Sequence, residues 1–126
     1  MVYAVIMAGG SGTRFWPASR KQSPKQLLNI AGQQTLLEAA VARLDNLVAG
    51  TETLVVTNHS LVAAVRELLP DLPPSAILGE PVKRDTTACI ALAAGLLKKR
   101  DPNATMLVMP ADHWIKPIEE FQDAVQ

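Results

Sequence analysis

Arg14 and Lys25 are the first residues whose setting suggests chemistry. No Asp or Glu occurs before Glu38, yet that stretch also holds Arg20 and Lys21. Arg14 closes the run Ala8-Gly9-Gly10-Ser11-Gly12-Thr13-Arg14, which follows the apolar segment Val2–Met7. Glycines can take up backbone conformations that turn several N–H groups toward one anion. An arginine fork then adds a charged donor that matches phosphate oxygens. Taken alone, the stretch would suit a tight turn with a surface arginine equally well. Two familiar phosphate loops are excluded by spacing. The dinucleotide fingerprint would need glycine where Phe15 stands, and the Walker A pattern would need lysine directly after Gly12 rather than Thr13-Arg14.

Asp112 is the second candidate. It follows Thr105-Met106-Leu107-Val108-Met109-Pro110-Ala111, a strand-like run, and a carboxylate there could hold a hard cation together with phosphate oxygens. By itself it could equally cap a turn. Other reactive side chains lack partners in the sequence. Ser11 and Ser19 have no evident His–Asp pairing. His59 and His113 stand at no metal-ligand spacing, and His113 is expected to buttress Asp112. Cys89, the single cysteine, lies in an alanine-rich segment and reads as a small core residue without disulfide or zinc chemistry. Trp16 and Trp114 are expected to pack beside the loop rather than to stack on a ligand.

The whole chain sets limits on these candidates. Its 126 residues suit one core, and 48% apolar residues are ordinary for a globular protein. Formal net charge is zero, which argues against nucleic acid as a partner and favours a small polyanion at a local cationic loop. No stretch has the ~20 apolar residues of a membrane span. Nothing basic precedes the first apolar run, so no signal peptide is expected and the location is expected to be cytoplasmic.

The elements that must position the candidates alternate in type. Strands are expected at Val2–Met7, Thr53–Thr57, Ala76–Leu78 and Thr105–Met109. Helices are expected from a capping box at Thr35–Glu38 to about Leu47, over Ser60–Leu69, from Thr86 or Thr87 to Arg100, and after Pro117. This alternation predicts an α/β fold, a Rossmann-like, mostly parallel sheet with helices on both faces. In such sheets ligands sit beyond the carboxyl ends of the strands, at a topological switch point. Residues 8–25, 79–87 and 110–113 all fall at such ends. The last helix is cut off at Gln126, so residues 1–126 are expected to be the front part of a longer domain. An open sheet edge and apolar face would favour a homo-oligomer.

The stretch "AGGSGTRFWP" followed by Pro24-Lys25-Gln26 resembles the sugar-1-phosphate nucleotidyltransferases, and most closely their mannose-1-phosphate guanylyltransferase branch. Phe15 stands where that branch has leucine. "ILGEPVKRDTTACIALAA" (77–94) and "MPADHWI" (109–115) are similar to two further motifs of the branch, with Asp85 in place of the usual Asn and Thr87-Ala88-Cys89 in place of Ala-Pro-Ala. The resemblance implies a nucleotidyltransferase fold and transfer of a guanylyl group from GTP to mannose-1-phosphate, assisted by Mg²⁺. Carried over by residue, it implies catalytic roles for Arg14 and Lys25. It implies nucleotide binding by Ala8, Gly9, Gly10, Ser11, Gly12, Thr13, Glu80, Pro81, Arg84 and Thr86, and metal binding by Asp112. Glu80, or backbone carbonyls near Gly79, would accept from the guanine edge. Arg84 would contact phosphate or pair with Asp85. A binding module without turnover, and a transferase for another base or sugar, are the competing functional expectations.

Overall fold

In the computed structural model, residues 1–10, 34–82 and 85–126 are described. Ser11, Gly12, Thr13, Arg14, Lys25 and Arg84 lie outside the described residues. Among the described residues, four strands form one sheet: β1 (Val2–Met7), β2 (Thr53–Asn58), β3 (Ile77–Glu80) and β4 (Thr105–Pro110). The spatial order is β3-β2-β1-β4 and every pairing is parallel. Four α-helices accompany them: α1 (Leu36–Ala42), α2 (Val62–Leu68), α3 (Thr86–Arg100) and α4 (Ile118–Val125).

The order explains the layers. The chain steps from β1 to β2 to β3 in one direction, then returns across the sheet to place β4 on the other side of β1. Right-handed crossovers in both directions put α1 and α2 on one face and α3 on the opposite one. A strand covered on both faces must be apolar throughout rather than alternating. Ala4, Val5, Ile6, Leu54, Val55 and Val56 are accordingly buried. Leu37 and Leu44 cover the sheet from the α1 side, Ala93 and Leu97 from α3. Burial of each large aliphatic side chain contributes about 1.5–3 kcal/mol. β4 is as apolar in sequence as β2, but Met106, Leu107 and Val108 are only partly buried because β4 lies at the sheet edge.

Local sequence sets most boundaries. Thr35 caps α1 in a full capping box, its Oγ1 accepting from the Glu38 N–H at 3.2 Å while Glu38 Oε2 accepts from the Thr35 N–H at 2.7 Å. α1 ends at Ala42 rather than near Leu47. Leu44 and Asp45 donate to carbonyls three residues back, and Asn46 takes the left-handed φ of 67°, so the helix tightens into turns. The segment expected to be helical from Ser60 begins as a 3₁₀ turn, His59–Leu61, before α2. β3 runs two residues further than expected, to Glu80, so Glu80 ends a strand rather than opening a loop. Asp85, not a threonine, occupies the N-cap position of α3, although its side chain makes no capping hydrogen bond. No described helix is long and apolar enough to cross a membrane.

Candidate functional site

The switch point of this sheet lies between β1 and β4, the neighbours whose connections leave in opposite directions. Register carries both strand ends to the same level, Met7 beside Pro110. Just beyond, the Ala111 N–H donates to the Met7 carbonyl at 3.0 Å, which keeps Asp112 next to the start of the glycine loop. On the other side of β1, the Ala8 N–H donates to the Val56 carbonyl at 2.7 Å. The buried Thr57 hydroxyl donates to the Ala8 carbonyl at 3.0 Å. The loop therefore leaves the sheet from a backbone gripped on both flanks.

Glu80 and Asn58 are register partners at the ends of β3 and β2. Glu80 is 8% exposed, and its Oε2 lies 3.2 Å from where a Cβ on Gly9 would stand. Asn58 Oδ1 is 3.8 Å from the same point. A side chain at position 9 would occupy the space into which both oxygens are directed. The carboxylate also acts inward. Burial first, and then the charge of Glu80, push the Cys89 thiol up to about 11. Cys89 is thus an inert core thiol, as its apolar setting suggested.

Of the expected site residues, the structure brings Gly9 and Glu80 together and sets Asp112 across the switch point from Ala8, Gly9 and Gly10. Pro81 is exposed after β3, and Thr86 is the exposed first residue of α3. Gly79 is packed against the 3₁₀ turn and α2, with His59 Cα 3.0 Å and Val62 Cγ2 2.7 Å from a built Cβ. Its surroundings are those of a packing glycine. His113 is not the close support for Asp112 that was expected: its Nε2 lies 3.9 Å from Asp112 Oδ1 and its side chain is 63% exposed. Trp114 is 43% exposed with the Lys116 Nζ 4.9 Å from its ring centroid, so it is not packed into the core.

Thr57 and Asn58 were missed by the sequence reading. The signal was available, since a polar Thr-Asn pair closes an otherwise apolar strand at its carboxyl end. For a metal, the donor set is narrow. No cluster of three or more His, Cys, Asp or Glu able to hold an ion occurs among the described residues. One carboxylate at a strand end fits the manner in which Mg²⁺ is held, with substrate phosphates and water completing the shell, and does not fit a protein-caged ion.

Comparison with known proteins agrees with this geometry. The family model for nucleotidyl transferases matches residues 3–126. A mannose-1-phosphate guanylyltransferase of Salmonella montevideo is 42% identical over 128 residues, covering 100% of this chain and 26% of its own length. The alginate biosynthesis protein AlgA of Pseudomonas putida is 41% identical, covering 99% of this chain and again 26% of itself. A solved mannose-1-phosphate geranyltransferase from Thermus thermophilus superposes with a TM-score of 0.84 at 37% identity, covering 98% of this chain and 36% of that one. The chain spans about a quarter of the length of the curated relatives it matches. Because the family match reaches from residue 3 to residue 126 and leaves almost nothing outside it, this chain belongs to the nucleotidyl transferase family.

Proposed function

We propose that residues 1–126 form the nucleotide-binding part of a nucleotidyltransferase domain that transfers a guanylyl group from GTP to mannose-1-phosphate. The products are GDP-mannose and pyrophosphate. The observation that carries this reading is the buried Glu80 carboxylate directed over Gly9 at the head of the glycine loop. Guanine offers adjacent N1–H and N2–H donors, and a carboxylate accepts from both, whereas adenine presents no such pair. The names of the relatives support the choice of base and sugar.

The chemistry follows from charge. An oxygen of the sugar phosphate attacks the α-phosphorus, the bond to the bridging oxygen breaks, and pyrophosphate leaves with the electron pair. The attacking oxygen is already anionic, so no general base is required. The obstacle is bringing two polyanions together, and donors fixed in advance offset it. In this reading N–H groups of Gly10, Ser11, Gly12 and Thr13 cradle the phosphates. Arg14 and Lys25 offset charge on the leaving pyrophosphate and at the α-phosphate. Asp112 would hold Mg²⁺, which when bound supplies further neutralisation of phosphate charge. Pro81, Arg84 and Thr86 complete the nucleotide side. GTP and a sugar phosphate as substrates also carry a cytoplasmic location.

The test is a thermal-shift panel of the 126-residue chain and its Glu80→Gln variant with GTP, ATP, UTP and dTTP, each with and without Mg²⁺. A ligand that binds only the folded state raises its stability. The expected result is the largest shift with GTP and Mg²⁺, and loss of the preference for GTP in Glu80→Gln. Equal shifts with all four nucleotides would remove the guanine assignment. No shift with any would remove nucleotide binding by this chain.

A further inference from the structure

Arg43 carries a charge that the fold leaves unanswered. It is 2% exposed, and Nε, Nη1 and Nη2 are buried without a hydrogen-bond partner among the described residues. The Phe121 ring, its centroid 5.7 Å from Cζ, faces the charge but offers no lone pair to the N–H groups. The carbonyls at the end of α1 are no substitute, since those of Ala42 and Arg43 accept from the Asp45 N–H and the Gln122 amide. Folding has already stripped this guanidinium of water, so an anion arriving later gains the attraction without that cost. The same residue lines a cavity of about 160 Å³ between α1 and the segment 114–118 that leads into α4. Lys116 brings a second cation to the cavity, Gln34 an amide and Trp114 an aromatic ring, while the rest of its described lining is alanine and isoleucine. No carboxylate is among those described lining residues. The two walls are tied together, because Gln122 of α4 donates from Nε2 to the carbonyls of Arg43 and Asp45, at 3.2 and 2.8 Å.

We infer that this cavity is a binding site for a small organic carboxylate with a ring-sized apolar body, its charge held by Arg43 and Lys116. The head group follows from the arginine, whose planar fork of N–H donors matches a carboxylate in bidentate fashion. Lys116 adds a point charge beside the aromatic wall, with Nζ 4.9 Å from the Trp114 ring centroid. The body follows from the volume and the walls. Apolar cavities of about 150 Å³ hold a benzene ring. Alanine and isoleucine give the hydroxyl groups of a sugar nothing to bond, so a sugar phosphate is disfavoured there. None of the described lining residues is among those proposed to bind the nucleotide or the metal.

The experiment follows the Arg43 Nε–H and Trp114 indole N–H signals of the ¹⁵N-labelled 126-residue chain during titration with benzoate, benzyl alcohol, acetate and inorganic phosphate. Benzyl alcohol keeps the body without the charge, and acetate keeps the head without the body. Benzoate is expected to shift both signals and to bind at least about tenfold more tightly than any of the other three. Arg43→Met is expected to lose the discrimination between benzoate and benzyl alcohol. Lys116→Gln, at an exposed side chain, is expected to weaken benzoate about threefold. If Arg43→Met fails to fold, the wild-type ranking and Lys116→Gln decide the matter. Benzyl alcohol bound as tightly as benzoate would make this a merely apolar cavity, and acetate or phosphate bound as tightly would make it a bare anion site. Either result overturns the inference. Discrimination retained in a folded Arg43→Met, or benzoate affinity unchanged in Lys116→Gln, puts the carboxylate elsewhere and overturns it too, as does the absence of benzoate binding. None of these readouts depends on a nucleotide, so the proposed function is tested separately.

Discussion

The Glu80 carboxylate ends 3.2 Å from the point where a side chain on Gly9 would begin, although β2 lies between their strands. Glu80 crosses the end of β2 to reach the first strand. The contact is with the far end of a flexible side chain, so Gly9→Ala is relieved by a small movement of the carboxylate. The expected outcome separates binding from stability. Unfolding free energy should change by less than about 1 kcal/mol, whereas GTP affinity should fall about tenfold because the displaced carboxylate no longer meets the base edge. Calorimetric titration and denaturant unfolding of the same preparation check both halves. A large loss of stability with affinity intact would show that Gly9 serves packing instead.

Gly79 and Gly95 make a contrasting pair. A Cβ at Gly79 would meet Val62 Cγ2 at 2.7 Å and the His59 backbone at 3.0 Å, whereas one at Gly95 would meet nothing within 4 Å. Backbone cannot step aside as a side-chain tip can. Gly79→Ala is expected to destabilise by about 1–3 kcal/mol. Gly95 lies within α3, where glycine costs helix stability, so Gly95→Ala is expected to stabilise by about 0.5–1 kcal/mol. Denaturant midpoints at constant slope decide the signs, and the same sign for both variants would contradict the assignment.

These glycines also show what was legible in the sequence. The order of strands and helices was readable because buried parallel strands are continuous apolar runs, and the Thr35–Glu38 box marked the start of α1 correctly. The end of α1 was not readable. It depends on Asn46 adopting a left-handed backbone, a choice that helical periodicity does not reveal. The position of Glu80 and Asp112 at strand ends was readable because sequence order preserves it. Thr57 escaped notice because its hydrogen bond joins residues 49 apart in the chain. Register brings them together, and register is set by tertiary packing. The packing around Gly79 was hidden for a similar reason, since its neighbours on the 3₁₀ turn come from the other side of a crossover.

Arg43 presents a separate test of energetics. It is 2% exposed, and Nε, Nη1 and Nη2 have no hydrogen-bond partner among the described residues. The Phe121 ring centroid lies 5.7 Å from its Cζ, and burial lowers its pKa from the ordinary value. A cavity of about 160 Å³ lies alongside, lined by Arg43, Gln34, Ala42, Trp114 and Lys116 among others. Charge without an acceptor costs more than the ring returns, while the aliphatic stem packs as any apolar chain would. Arg43→Met is therefore expected to be neutral or to stabilise by about 1–4 kcal/mol. Thermal unfolding checks it, and a loss of stability would show that the guanidinium has an acceptor in solution.

Cys89 predicts a pH dependence. Its thiol is pushed up to about 11 from a usual 9.0, by burial and then by the Glu80 charge. The folded state therefore keeps its proton at pH values where the unfolded chain has lost it. Loss of that proton draws the equilibrium toward the unfolded chain, so the stability contribution is complete below about pH 9 and is lost as pH rises through about 11. The informative quantity is a difference between variants, which isolates the thiol from every other group. Stability of the wild type should fall more steeply between about pH 9 and 11 than that of Cys89→Ala, whatever their offset at neutral pH. Chemical unfolding at a series of pH values measures both slopes. Parallel curves would mean that the thiol titrates alike in the folded and unfolded states, and that neither burial nor Glu80 acts on it.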